Sequence, residues 1–403
     1  MQKKLIALAI AGLASGAAFA QSNVTIYGVA DLSFDNVRVD DSKTSGLNTG
    51  SRNRVSANSS YIGFKGSEAL GNGLTAVFQY ETGVAADGGN TAGGTPTGLF
   101  SASGIRDSFV GVAGGFGTVV LGTLTGPTRA LGAAVDVNSG ATGNGYNGAL
   151  LGKIGGNTLL GVTAPIVGNQ CSASSTCTSF FDTRFSQAIA YVSPTFGGGF
   201  SGVVGYVANE NRTNDGTPSS LQLNTSGYDL GLNYNNGPIL GGLTYSRADV
   251  KNAGDYYVDN LRIAGKYEFA AASIRALWER TRLEGNNGLD LRADKYGLGA
   301  TFNVTPAGKI IGQWYHANDI KGQNNVSNSS ANLYEIGYEH SLSKRTILIA
   351  SYQRLDNKDN AAYDFGINAA GTSAASAATP FASTAVGGGS NISSIQLGVR
   401  HSF

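Results

Sequence analysis

Beyond its first twenty residues, this chain of 403 has no run of about 18 apolar residues, so it offers no candidate membrane-spanning helix. Charge is sparse as well: Asp, Glu, Lys and Arg make up 14% of the residues and the formal net charge is +1. Such neutrality supplies no field to draw nucleic acid or an anionic surface. Proline occurs eight times, tryptophan and cysteine twice each, and methionine once, as the initiator. No histidine lies near Cys171 or Cys177, which leaves a metal site there short of ligands. Glycine, at 59 residues, and the 35 tyrosines and phenylalanines are what the chain has in plenty. Low charge with glycine-spaced aromatics suits many short strands and turns, not coiled coil or disorder.

Residues 1–20 read as a cleaved secretory signal peptide. Lys3 and Lys4 form a positive start, "LIALAIAGLA" a short apolar run, and "AFA" at 18–20 a small-x-small cleavage signal. Cleavage after Ala20 leaves a single domain, 21–403, with 26 basic and 27 acidic residues. An exported chain without a spanning helix is either a soluble protein or a β-barrel of the outer membrane, and the arrangement of its segments separates the two.

Strand-like segments of about ten residues follow one another from "NVTIYGVADLSF" (23–34) to "ISSIQLGVRHSF" (392–403). Between 23–34 and the next segment, "SSYIGFKG" (59–66), lies a polar stretch read as loop to about Ser51. Seven connections are short, such as "GGF", "NGP" and "SKR"; eight are longer, the longest spanning about 125–181. Fifteen connections make sixteen strands. The pattern predicts an all-β fold, a transmembrane 16-stranded antiparallel β-barrel with short periplasmic turns and long extracellular loops.

Alternation distinguishes the two faces of the wall. In "NLRIAGKYEF", Leu261, Ile263, Gly265, Tyr267 and Phe269 share one face and Arg262, Ala264, Lys266 and Glu268 the other. A soluble sandwich alternates too. Here, however, Phe64, Tyr191, Tyr234, Phe269, Phe302 and Phe403 gather where strands meet short turns, as in the aromatic girdle of a membrane interface. Backbone groups in lipid must all be paired, so the sheet has to close.

Specific motifs then resemble the sixteen-stranded trimeric porins of Gram-negative outer membranes. "VTIYGVADLSF" resembles their first strand, "RFSQAIAYVSPTFGGGFSG" (184–202) the strand–turn–strand after the constriction loop, "LSKRT" (342–346) the last periplasmic turn, and "GVRHSF" the closing strand. The resemblance spans essentially the whole mature chain. It implies a homotrimer amid outer-membrane lipid and lipopolysaccharide, and an inward-folded third loop at about 125–181 that narrows each barrel. It also implies that the terminal Phe403 is read by the assembly machinery. Two positions depart from the family pattern: Thr123 stands where a basic residue is expected, and Gln187 where an asparagine is usual.

Charged groups on the inward face of a narrow aqueous path set its selectivity. The candidates are Asp31, Lys65, Gln79, Glu81, Arg106, Lys266 and Arg275 on the wall, Arg52 and Arg54 at the start of the second strand, and Arg129, Asp136 and Lys153 in the third loop. Many such charges are merely solvated or paired and contribute little. Cys171 and Cys177 are expected to form a local disulfide in an exported chain, either stiffening the loop or stapling a surface lobe. No catalytic constellation emerges. His340 and His401 fall near the turn-side aromatics, and the glycine clusters lack the Lys-Ser and helix of a phosphate loop. No cofactor is expected.

Two functions follow. One is a general diffusion porin of weak anion preference for ions and small hydrophilic solutes. The other is a substrate-selective channel for small anionic solutes, which would line its interior with aromatics. Tyr27 is one of few inward aromatics by parity, which favours the first.

Overall fold

A computed structural model describes residues 23–43, 47–87, 104–155, 181–208, 224–251, 256–285, 288, 290–322, 326–370 and 386–403. Residues 1–20, read above as a signal peptide, and Cys171 and Cys177 lie outside the described residues.

Among the described residues, seventeen strands form one antiparallel sheet. In chain order they are β1 (Asn23–Asp40), β2 (Thr49–Ala57), β3 (Tyr61–Gly71), β4 (Leu74–Gly83), β5 (Ser108–Gly114), β6 (Gly117–Thr125), β7 (Arg184–Val192), β8 (Phe200–Val207) and β9 (Asn224–Asn236). The remainder are β10 (Ile239–Lys251), β11 (Tyr256–Glu268), β12 (Ala272–Gly285), β13 (Asp290–Asn303), β14 (Gly308–Ala317), β15 (Ala331–Ser341), β16 (Thr346–Asn357) and β17 (Asn391–Ser402). Each strand pairs with its successor, except that β2 and β3 both pair with the long β1, β2 along its outer half and β3 along Asn23–Val29. Together β2 and β3 fill one wall position, so the barrel is sixteen-stranded with one extra strand. Val29–Asp40 of β1 pair with Asn391–Ser402 of β17 and close it.

The extra strand corrects the sequence reading of a loop to Ser51. The stretch is polar because it stands at the rim, where neither face needs to be apolar. Its pairing is specified by polar partners, Asn36 with Asn53 (2.7 Å) and Asp35 with Arg54 (3.3 Å). The turn after β3 is also tighter than "SEALGNG" suggests. Strand structure runs to Gly71, and Asn72-Gly73, both with positive φ, make the two-residue reversal such hairpins favour.

The outward face is apolar as alternation requires. Ile263, Leu298, Leu397 and Val399 are exposed there, while Arg262, Lys295 and Gln396, on the opposite parity of the same strands, are buried inside. One glycine seats the last residue at this seam. Gly28 and Phe403 exchange both backbone hydrogen bonds (3.2 and 3.1 Å), and a Cβ on Gly28 would meet the Phe403 ring at 2.5 Å. The last side chain therefore lies over the first strand, half exposed on the outer face.

Candidate functional site

After β6 the chain turns into the barrel. Pro127–Ala134 form α1, with Pro127 suited to a first helical turn, and a single 3-10 turn follows at Asn147–Ala149. α1 docks on β9–β11. Pro127 faces Gly231 and Leu131 faces Gly242, positions where a Cβ would collide with the loop. Thr128 donates to Asp229 (2.8 Å) and sits 2.6 Å from the Ser246 hydroxyl.

Beneath α1 lies a fully buried ionic cluster. Arg262, Glu279 and Lys295 are direct cross-strand partners on β11, β12 and β13. Glu279 accepts from Arg262 Nε (2.8 Å) and Lys295 Nζ (2.9 Å), and from the loop amide of Gly152 (2.7 Å). Arg262 also donates to Asp182 (3.0 Å) and to the Thr128 carbonyl (2.5 Å). The cluster ties both ends of the loop to the wall. Sequence reading missed it because it requires the register of three strands.

Farther along, the loop crosses to β14–β17 and β1. Gln313 bonds Val137 and Gly145, Glu339 bonds Ser139 (3.0 and 2.6 Å), and Asp31 accepts from Thr142 (2.9 Å) and Arg400 (2.7 Å). In its described residues the loop thus touches the wall at points from β9 round to β1. None of these hydrogen bonds falls on the facing wall, β3–β8.

Of the predicted constriction residues, three are interior supports and do not line the pore. Asp31 is clamped as above. Asp136 is buried, accepting from the amides of Asn138 and Asn147 (2.8 Å each), and burial pushes its carboxyl up to about 6. Lys153 is buried, which pushes its ammonium down to about 8 despite nearby Asp364 and Asp182. Arg52 and Arg54 hold the last external loop. Arg54 donates to the carbonyls of Asn368 (2.7 Å) and Ala369 (2.8 Å) and to Asn144 (3.2 Å), and Arg52 to that of Ala370. Tyr363 and Phe365 of that loop share one buried apolar cluster with Leu150 and Leu151 of the third loop, and with Val37, Leu355 and Ile392 of the wall. Arg275 donates to the Asp136 carbonyl, Lys266 pairs with Glu268 (2.7 Å), and Arg129 donates to the Asp182 carbonyl (2.6 Å).

On the open wall, Lys65 holds its ammonium 4.8 Å from the Tyr27 ring centroid. Glu81 accepts from Tyr27 (2.8 Å) and Arg106 (3.2 Å), Arg106 also donates to Ser59 (2.8 Å), and Gln79 donates to Glu81 (3.2 Å). Arg184, absent from the sequence-based set, pairs with Asp107 (2.9 Å) beside Arg106. Burial works against ionised Asp107, but Arg184 and Thr125 outweigh it and hold the carboxyl below its usual range.

The two departures acquire physical meaning here. Thr123 pairs with Ser108 on the face of exposed Val110 and Leu121, so no basic residue at that position would reach the lumen. Gln187 has φ 56°, at the bulge where β6 and β7 shift register, and asparagine is the residue that tolerates such a conformation best after glycine.

A closed barrel, apolar outside and polar within, narrowed by an inward loop and carrying ionic groups on its open wall, defines a water-filled membrane channel. A model of the Gram-negative porin family matches residues 7–360, and the chain belongs to that family. It is 32% identical to outer membrane porin protein 32 of Delftia acidovorans over 404 residues, 100% of both chains. It is 30% identical to the major outer membrane protein P.IB of Neisseria gonorrhoeae over 380 residues, 87% of this chain and 92% of that one. Among solved structures, the anion-selective porin from Comamonas acidovorans matches at TM-score 0.69 and 27% identity, over 95% of this chain and 100% of that one. The protein is an outer-membrane porin, a channel for passive diffusion.

Proposed function

We propose that this porin conducts small hydrophilic solutes with a weak preference for anions. One observation carries the preference: the third loop presents no exposed carboxylate to the lumen among its described residues, since Asp136 and Asp182 are both buried. The facing wall keeps Lys65 open over an aromatic ring, while its arginines are paired with Glu81 and Asp107. One unpaired cation opposite a loop with no exposed carboxylate biases the local potential modestly toward anions. The anion-selective relative supports the sign.

In this reading the mature chain begins after Ala20, performs no chemistry on its solutes, and works as a homotrimer amid outer-membrane lipid and lipopolysaccharide. The half-exposed Phe403 ring supports recognition by the assembly machinery. Zero-current potential in a potassium chloride gradient across a planar bilayer tests the preference. Its sign is expected to report anions, and Lys65→Glu to move it toward cations; a cation-preferring wild type would overturn the reading.

Asp136 adds a pH dependence. It lies beside Arg275 and, across the loop, Glu335. Because its carboxyl is raised to about 6, it takes up a proton as pH falls through that value. Its contribution to loop docking is complete below about 4 and is lost as pH rises through about 6. Acidification from pH 7 to 5 is expected to strengthen anion preference, and Asp136→Asn to flatten that change. Parallel pH profiles for the two proteins would exclude Asp136 as the titrating group.

A further inference from the structure

The interior of the barrel is two-faced in its turn-side half. The wall from β11 to β15 carries Lys266, Arg275, Gln313 and Glu335 along one register row. The wall from β4 to β8 carries no charge at the same depth. Val77, Gly111, Val120, Ala190 and Gly205 are successive partners across five strands, and Gln79, Phe109, Gly122, Ala188 and Val207 form the row above. Their neighbours Val110, Leu121, Ile189 and Val204 are exposed on the outer face, so these side chains point inward. Val77, Phe109, Ala190 and Val207 are only partly buried, packed on Val120 and Leu124. α1 lies against β9–β11 and does not cover this patch. Phe109 joins Tyr27 among the few inward aromatics. Phe109 and Val110 are adjacent and both apolar, so parity alone did not orient them.

We propose that this patch and the cations beside it form a track for small amphipathic organic anions, monocarboxylates with an alkyl or aryl body. The apolar body slides along Val77, Phe109, Ala190 and Val207, and along Val203, which is half-buried on the same parity as Gly205 and Val207 and pairs with Val192. The carboxylate meets Lys65, the cross-strand neighbour of Gln79 at the upper edge of the patch, and then Lys266 and Arg275 across the lumen. A hydrophilic channel has no use for a half-buried valine–phenylalanine wall, whose open part is a standing cost in water. Opposed to Lys266 and Arg275, it becomes a two-point site for a solute with one charged and one apolar end. The inference rests on the anion preference above and names the solute class it favours.

The test uses purified protein in planar bilayers, with benzoate and pyroglutamate as probes. Both are cyclic monocarboxylates with the same number of heavy atoms, and only pyroglutamate has a polar ring. Permeabilities relative to chloride come from zero-current potentials under bi-ionic conditions. Benzoate is expected to exceed pyroglutamate roughly fourfold, the factor for about one buried methylene. Val77→Thr and Val203→Thr, near-isosteric changes, are expected to erase that advantage while chloride-over-potassium selectivity stays put. Equal permeability of the two probes in a protein that still prefers chloride would overturn this inference and leave the anion reading intact. Loss of the advantage in Lys65→Gln, but not in the valine variants, would also reject the apolar track.

Discussion

Glu279→Gln is expected to loosen the third loop while leaving the barrel inserted. The carboxylate of Glu279 is the shared acceptor for Arg262, Lys295 and the Gly152 amide, all out of reach of water. Removing its charge leaves two buried cations with Asp182 as the remaining carboxylate of the cluster. Breaking a buried ion pair from one side costs on the order of 3 kcal/mol, much of it the penalty of the stranded charge. The strand ladders of β11–β13 do not depend on it, so the loss falls on loop docking through Gly152, Thr128 and Asp182. Single-channel records should show larger and noisier openings, and the thermal unfolding midpoint should fall. The double change Glu279→Gln with Lys295→Met should be milder than the single one, because one stranded cation has gone. Wild-type noise and midpoint in Glu279→Gln would show that the loop is held elsewhere.

That cluster also marks the limit of what the sequence discloses. Alternation in "NLRIAGKYEF" puts Arg262 inside, and the structure agrees, because a lipid-facing wall tolerates no buried alternative there. The closing strand was equally legible. Ile395, Leu397 and Val399 face outward as their spacing demands. What alternation does not carry is which inward residues meet. Arg262, Glu279 and Lys295 stand 17 and 16 residues apart, and only the register of two hairpins brings them together. Arg184 escaped notice because it opens β7 beside a bulge, where parity is broken. β2 escaped because strands above the membrane lose the apolar side that makes them recognisable; its residues Arg52 and Arg54 read as pore charges and are in fact braces for another loop. In each case the missing information is contact across the barrel, which a one-dimensional pattern of faces does not contain.

Those braces give the second large effect. Residues 358–370 fold into the mouth, where Asp364 accepts from the amides of Phe365 and Ala370 (2.7 Å each), and Asn357 bonds Tyr363 on both sides of its backbone. Arg54 bridges two carbonyls of this turn to Asn144 of the third loop, so one guanidinium holds both inward loops. Hydrogen bonds to a charged group are each worth about 1.5–3 kcal/mol, and Arg54→Ala removes several at once. The turn is then expected to leave the mouth, baring Tyr363 and Phe365 and widening the outer vestibule. Open-channel conductance should rise, and trypsin should cut at Lys358, which the docked turn protects through its bond to the Ser330 carbonyl (2.9 Å). Loss of charge by itself alters conductance too, so Arg54→Lys is the discriminating variant. It keeps the charge but replaces a planar fork with a single point donor, which cannot span two carbonyls and Asn144 together. If the brace matters, Arg54→Lys should match Arg54→Ala in trypsin cleavage and conductance while its ion selectivity stays at the wild-type value. If Arg54→Lys instead resists trypsin and conducts like wild type, Arg54 acts through its charge, and the last loop is held by the apolar cluster around Tyr363.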